Sequence, residues 1–351
     1  MKAVKITEKC VEIDGADDEF GSNIPYDFLV YALGAKMPRF LDLAPPDKAS
    51  GKSFLKILRK NIHRAGTIVI AGGGALGIQY ASDIKAVFPE KHVTLIHSRS
   101  RYLSIFSQEL SDKIAAELDA LGVERIMGDR VKSPNHDIDG PHAVYLTSGR
   151  ILQCDLQLNC TGLLYNTELI SGLSPDSISQ QGTVYTDQTM QILAPKIDKS
   201  IAERIFCIGD VTEIQFEEAI KAKAEAEGRP VILKNGSSGW FQAETAVENI
   251  IEIINAEKSG REKHLTLYNP SPRMIKITMG MDKCIYEVPS EFDPKPKPER
   301  KDQDEDEGFE EGEDDKLLSK VCMGEMDLPV DLDVHRVWQM YGSDGSDMHA
   351  E

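Results

Sequence analysis

Positive charge is scarce in this chain. Its 351 residues carry 40 Lys and Arg against 58 Asp and Glu, a formal net charge of −18. Phosphate backbones need a basic surface, so nucleic acid is excluded as a partner. Long hydrophobic runs are missing too. No stretch nears the ~20 apolar residues of a membrane span, and Met1-Lys-Ala-Val-Lys-Ile6 has no signal-like core. The six cysteines form no CxxC, and three of them sit in apolar, strand-like runs, which fits a reducing compartment. Cys154 and Cys160 fall on one side of a strand, too far apart along it to bridge, and read as core residues. The eight histidines hold no HxxxH pair, and His335 and His349 are too far apart for a helical pair, so no metal is expected. No Ser/His/Asp constellation can be assembled either, and no catalytic residue is named.

Half of the net charge is local. From Glu299 to Asp315 eleven acids face two bases, just after Pro294-Lys-Pro-Lys-Pro298, and segment 294–316 reads as a disordered acidic linker. The length suits about two domains.

The sequence is richest in information between Thr67 and Arg99. The buried strand Ile68–Ile70 runs into Gly72-Gly73-Gly74-Ala-Leu-Gly77, a helix follows from Ala75 to about Val87, and a second apolar strand spans Val93–Ile96. Strand, glycine turn, helix and strand within ~30 residues form the context a dinucleotide fingerprint needs. Gly72 permits the tight turn, Gly74 lets backbone approach a pyrophosphate, and Gly77 lets the helix pack on the sheet. The helix N-terminus offers N–H groups to phosphate. An acid about 20 residues on normally takes the ribose 2′-OH of NAD. Here the strand ends His97-Ser98-Arg99, with Arg101 beyond. It has no carboxylate, while Ser98 and Arg99 could meet a 2′-phosphate, so NADPH and NADH both stay open.

Two segments echo each other. Tyr26-Asp-Phe-Leu-Val-Tyr-Ala-Leu-Gly34 and Cys154-Asp-Leu-Gln-Leu-Asn-Cys-Thr-Gly162 each read Asp, apolar strand, closing glycine, and each follows a hairpin-like stretch. The second copy closes the unit that opens at Gly72. The first should close a like unit, yet the 25 residues before Tyr26 hold no GxGxxG.

These two units, followed by Ile205-Phe-Cys-Ile-Gly-Asp210, resemble the pyridine nucleotide-disulfide reductase superfamily. The wording of the fingerprint, with Pro89-Glu-Lys-His-Val-Thr-Leu-Ile-His-Ser98, is similar to fungal apoptosis-inducing-factor-like (AMID-type) proteins, relatives of quinone reductases. The implied fold is α/β, a Rossmann-like flavoprotein with two dinucleotide-binding domains whose FAD-type domain is incomplete at the N-terminus. The expected domains are 1–63 with 196–265 for FAD, 64–195 for NAD(P), and 266–351 as a C-terminal region. The resemblance implies that Asp210, after Gly209, binds the ribityl chain of FAD. It also implies that the next helix, from Trp240 to about Ile254, aims its start at the flavin, with Trp240 and Gln242 as the matching residues. Ala243, Ala246, Val247, Ile250, Ile251 and Ile254 would form that helix's apolar stripe. Gly34 and Gly162 would line the two cofactors. Gln79 stands where many relatives carry a Glu near the nicotinamide; it can bond a carboxamide but cannot act as an acid.

The expected activity is transfer of electrons from NAD(P)H through FAD to a quinone-like small molecule. The alternative is a truncated, inactive nucleotide-binding chain, since without the first fingerprint FAD should be held weakly or lost. That reading also puts the missing central strand between those ending at Gly34 and Gly209. The expected location is the cytoplasm, with peripheral contact to a mitochondrial or other membrane left open. Lys221 lies in a charged helix that Gly228-Arg-Pro230 should stop. A hairpin is expected around Gly280–Lys283, and an amphipathic helix over Leu332–Met340 that caps the flavin domain or rests on a membrane.

Overall fold

The computed structural model describes residues 1–36, 47–132, 139–218, 220–222, 233–270, 273–289 and 319–325. The acidic segment 294–316, the stretch 332–340 and the Gly228 stop signal lie outside them. The chain divides into two compact units, residues 1–42 with 162–271 and residues 43–161 with 272–351.

The first unit opens with β1 (Ala3–Ile6), β2 (Cys10–Asp17) and β3 (Gly21–Pro25), an antiparallel meander. β4 (Leu29–Tyr31) and β5 (Ala35–Lys36) follow. The second unit then begins with α1 (Lys48–Arg64), which the sequence reading had not identified. Asp47 starts it by accepting the Ser50 N–H at 2.8 Å, as an N-cap side chain does. The buried Lys91 ammonium holds its far end, donating to the carbonyls of His63 and Ala65 at 2.9 and 2.6 Å.

Next come β6 (Thr67–Ala71), α2 (Ala75–Val87), β7 (His92–His97), α3 (Gln108–Ala120), β8 (Glu124–Met127), β9 (Asp139–Tyr145) and β10 (Ile151–Asn159). They form one sheet in the order β8-β7-β6-β10-β9, parallel except for β9. β6 and β7 are buried on both faces, hence their continuous apolar runs. Ile78, Leu110, Ile114 and Leu118 from α2 and α3 are fully buried. Asp155, the acid of the second repeat, accepts the N–H groups of Gly66 and Thr67 at 2.9 and 2.8 Å and pins the start of the central strand. Its counterpart Asp27 is exposed, with no hydrogen bond among the described residues.

The chain returns to the first unit as β11 (Leu164–Tyr165), α4 (Glu168–Leu173), β12 (Val184–Thr186), α5 (Lys199–Ala202), β13 (Ile205–Cys207), β14 (Thr212–Ile214) and α6 (Gly236–Ser259). β5 pairs with β11, and Ile170, Val184, Ile205 and Cys207 join Tyr31 in one core. Packing therefore assigns 162–195 to the unit that holds β4 and 43–63 to the other, whereas the sequence division followed the cofactor halves. β13 pairs directly with β4, Ile205 opposite Leu29 and Cys207 opposite Tyr31. The expectation of a strand missing between them is corrected: these two strands are neighbours.

β15 (Ile275–Met279), β16 (Lys283–Pro289) and β17 (Ser319–Glu325) form an antiparallel sheet in the second unit. The buried Glu287 carboxylate accepts both the N–H and the hydroxyl of Ser107, the residue that caps α3. Among the described residues no helix is long and apolar enough to cross a membrane.

Candidate functional site

The glycine turn between β6 and α2 shows why each glycine is there. Gly72 has φ 111°, and a Cβ on it would lie 2.7 Å from the Cys160 carbonyl oxygen. A Cβ on Gly73 would meet Tyr102 at 2.8 Å and the His97 side chain at 2.9 Å. One on Gly77 would sit 1.9 Å from the Gly72 carbonyl oxygen, so helix and turn touch backbone to backbone. Gly74 differs: a Cβ there meets nothing within 4 Å, and its φ of −80° suits any residue. Three glycines are required by the protein's own packing, and the fourth faces open space. Gly74 is also the N-cap of α2, and no side chain among the described residues caps that terminus, which leaves the first N–H groups of the helix open to an outside acceptor. The turn fits the pyrophosphate of a dinucleotide.

At the end of β7, Ser98 is half-buried and Arg99 exposed. The two nearby arginines have different fates. Arg101 is spent on its own loop, donating to the carbonyls of Ser104 and Phe106 and to Gln108. The Arg99 guanidinium has no hydrogen bond or ion pair among the described residues. Gln79 is committed: its amide nitrogen donates to the Thr278 hydroxyl of β15 at 2.6 Å. Gly162, at φ 79°, stands three residues past the end of β10, with nothing within 4 Å of a Cβ. Cys154 is buried, and burial pushes its thiol up to about 11, so it is unreactive despite His142 at 3.4 Å.

In the first unit, Gly209–Val211 makes a single 3-10 turn after β13, with Gly209 at φ 81° and open space beside it. The Asp210 carboxylate takes no hydrogen bond among the described residues, while its backbone is held firmly. Lys234 Nζ donates to the carbonyls of Asp210 and Thr212, both at 2.6 Å, and sits 4.9 Å from the centre of the Tyr165 ring. Burial holds this ammonium below the usual lysine range. Sequence reasoning missed Lys234, because Ile232-Leu-Lys234-Asn-Gly236 carries no periodic signal. A presented carboxylate on a braced turn fits the hydroxyl-rich chain of FAD. Gly34, at φ 58°, is likewise open, and its carbonyl accepts the Asn166 N–H at 3.0 Å.

The helix after this turn corrects the sequence reading. α6 starts at Gly236 rather than at Trp240, because Asn235 caps it by accepting the Ser238 N–H at 2.8 Å. Trp240 and Gln242 therefore lie one turn inside. Trp240 is 58% exposed, and its indole N–H bonds Glu244 at 2.9 Å. Gln242 is buried, and its side-chain oxygen accepts the Gly209 N–H at 2.7 Å, bracing the turn through its backbone. The buried face runs through Gln242, Ala246, Asn249, Ile253 and Ala256, whereas Val247 and Ile251 are 52% and 53% exposed. The stripe was misread because Asn249 is polar yet buried. Its amide donates to the carbonyls of Thr189 and Thr266, and its oxygen accepts the Thr266 N–H, which removes the cost of burial. A cavity of about 760 Å³ in this unit, lined by Tyr185, Leu193 and Lys199 among others, contains none of the sequence-selected residues. No cluster of metal-ligating side chains occurs among the described residues.

The fold and the two turns define a two-domain FAD- and NAD(P)-binding oxidoreductase architecture. Solved structures share it: a persulfide reductase from A. fulgidus (TM-score 0.57, 20% identity, covering 82% of this chain and 48% of that one) and a ferredoxin reductase from Rhodopseudomonas palustris (0.58, 18%, 84% and 65%). At such identities the likeness shows the fold alone. The family model described as pyridine nucleotide-disulphide oxidoreductase matches residues 1–226, and the chain belongs to that family, among its apoptosis-inducing-factor-like members. Fe-regulated protein 8 of Mycosarcoma maydis is 36% identical over 270 residues, covering 74% of this chain and 61% of that protein. Human ferroptosis suppressor protein 1 is 21% identical over 279 residues, covering 76% and 66%. The chain thus spans less than two thirds of the length of these relatives. Nothing in these likenesses favours the expectation of an inactive chain.

Proposed function

We propose that the protein is an NAD(P)H oxidoreductase that uses FAD and delivers electrons to a quinone-like small molecule. The observation that carries this reading is the contrast within the glycine turn. Gly72, Gly73 and Gly77 are demanded by packing, whereas Gly74 is open at an uncapped helix start. A protein needing only a tight turn would have no use for a bare fourth position. When bound, the two cofactors supply hydride and electron transfer.

The protein's own residues bind and orient. The turn from Gly72 to Gly77 receives the dinucleotide, with Ser98 and Arg99 at its ribose end. Asp210 would accept hydrogen bonds from the hydroxyls of the flavin's chain, while Lys234 and Gln242 brace the backbone of its turn. The quinone-like acceptor follows from the sequence resemblance to quinone reductases, and a lipophilic acceptor would be met at a membrane surface.

The test is uptake of FAD by the chain, read as flavin absorbance after gel filtration, with NADPH binding measured in parallel. Asp210→Ala should lower flavin retention about tenfold or more, as loss of a charge-assisted hydrogen bond does, and leave NADPH binding unchanged. Equal flavin retention by parent and variant refutes the role of Asp210. A parent that retains no flavin while binding NADPH refutes the flavoenzyme reading.

A further inference from the structure

The last residue of β7 explains what the dinucleotide site can read. His97 is 7% exposed, and its ring stacks on Tyr102 at 5.6 Å between centroids. Its Nδ1 accepts the N–H of Gly73, the middle of the glycine triplet, at 3.2 Å. A nitrogen that accepts carries no proton, so the proton lies on Nε2, which donates to the Arg101 carbonyl at 3.1 Å. Burial, with Arg99 and Arg130 nearby, holds the imidazole below its ordinary pKa and keeps it neutral. Both ring nitrogens are therefore spent inside the protein. At this position an NAD site offers a carboxylate to the ribose 2′-hydroxyl, and His97 has no acceptor to give.

The adjacent carboxylate is spent as well. Asp129, just past β8, is buried and accepts the hydroxyls of Thr147 and Ser148 together with the Arg130 N–H. These bonds hold it well below the usual carboxylate range. Two cations stand at the same place. The loops after β7 and β8 are joined, since Gly128 N–H donates to the Arg99 carbonyl at 3.1 Å and Asp129 N–H to the His97 carbonyl at 3.2 Å. Arg99 and Arg130 leave these joined loops exposed, neither guanidinium with a partner among the described residues.

We propose that this end of the sheet takes the 2′-phosphate of NADPH, with Arg99 and Arg130 as its two cationic donors and His97 withholding the acceptor that a 2′-hydroxyl requires. The proposal rests on the reading of the second unit as the NAD(P)H site and adds the choice of dinucleotide and the second arginine. Ser98, half-buried and next to Arg99 in the chain, adds a hydroxyl donor.

Calorimetric titration of the chain with NADPH and NADH, at low and at physiological salt, tests it. The parent should bind NADPH at least about tenfold more tightly, with a gap that narrows as salt rises. R99Q and R130Q should each cost NADPH about tenfold and leave NADH unchanged. Because both side chains are exposed and unpaired, neither variant should shift the melting temperature. Adenosine 2′,5′-bisphosphate should compete for the site better than AMP. Equal affinities in the parent overturn the proposal while leaving the NAD(P)H reading intact. So does an R130Q variant that loses both dinucleotides equally or keeps the full preference for NADPH. A parent that binds neither dinucleotide overturns both readings.

Discussion

Replacing Gly74 with valine separates folding from binding more sharply than any other change in the glycine turn. The backbone at Gly74 is extended, φ −80° and ψ −178°, and the new side chain would grow into space empty to 4 Å. The fold should barely notice. A poorer N-cap costs less than about 1 kcal/mol, or about 2–4 °C of melting temperature in a unit of this size. In the proposed site the same side chain would stand where a pyrophosphate approaches the N–H groups of α2. Loss of one hydrogen bond to a charged group costs about 1.5–3 kcal/mol, so dinucleotide affinity should fall roughly 10- to 100-fold. Gly77→Ala supplies the opposite control. Its Cβ would lie 1.9 Å from the Gly72 oxygen, against the 3.0 Å that real contacts respect. Helix and turn must therefore separate by about 1 Å, an overpacking cost of about 1–3 kcal/mol or more. Thermal unfolding and NADPH calorimetry on both variants give the answer. If Gly74→Val binds like the parent, no pyrophosphate rests on this turn. If Gly77→Ala is as stable as Gly74→Val, the packing argument is wrong.

Two further changes probe the supports around the sites. Asp83 on α2 is half-buried, its Oδ1 has no partner among the described residues, and burial pushes its carboxyl up to about 6 against a smaller opposing effect of the Gly280 N–H. The folded value lies above the ordinary 3.8, so its contribution to stability is full below that value and is lost as pH rises through about 6. Asp83→Asn should therefore stabilise the fold at about pH 7.5, by about 1 kcal/mol once solvent screening is allowed for, with a higher melting temperature there and not at about pH 4. The same shift at both values would show that the carboxyl's charge is not the cause. Lys234→Met removes both carbonyl bonds under the Gly209–Val211 turn, and thermal unfolding should register about 1–3 kcal/mol while NADPH titrates as before. An unchanged melting temperature would show that the lysine does not hold the turn.

The order β6, α2, β7 in the second unit was legible because its signals are local. The apolar runs of β6 and β7 and the glycine spacing before α2 lie within ~30 residues of one another, the range over which strand and helix periods can be read. The repeat of Asp155 and Asp27 was visible in sequence too, yet in the fold Asp155 holds the start of β6 while Asp27 is exposed. Charge beside a strand end is visible without coordinates and marked Arg99, whereas Asp210 was marked by the family resemblance.

Partnership between distant residues decided the rest. Arg99 and Arg101 look alike in sequence, yet Arg101 is consumed by the carbonyls of its own loop, and only the folded loop shows which guanidinium is left over. α6 was misplaced by one turn and rotated because Asn235, Gln242 and Asn249 carry polar side chains whose partners lie up to 60 residues away. A hydropathy stripe counts such residues as surface, whereas a satisfied hydrogen bond lets them be core. His97 was read as part of an apolar strand with a polar end. Its role depends on Gly73, 24 residues back, and on Arg101. The sequence by itself determined the glycine turn, the strand that leads into it and the acid after Gly209. Tertiary structure decided which side chains around them are already bound by the protein and which have no partner among the described residues, because hydrogen-bond saturation depends on proximity in space and chain order does not record it.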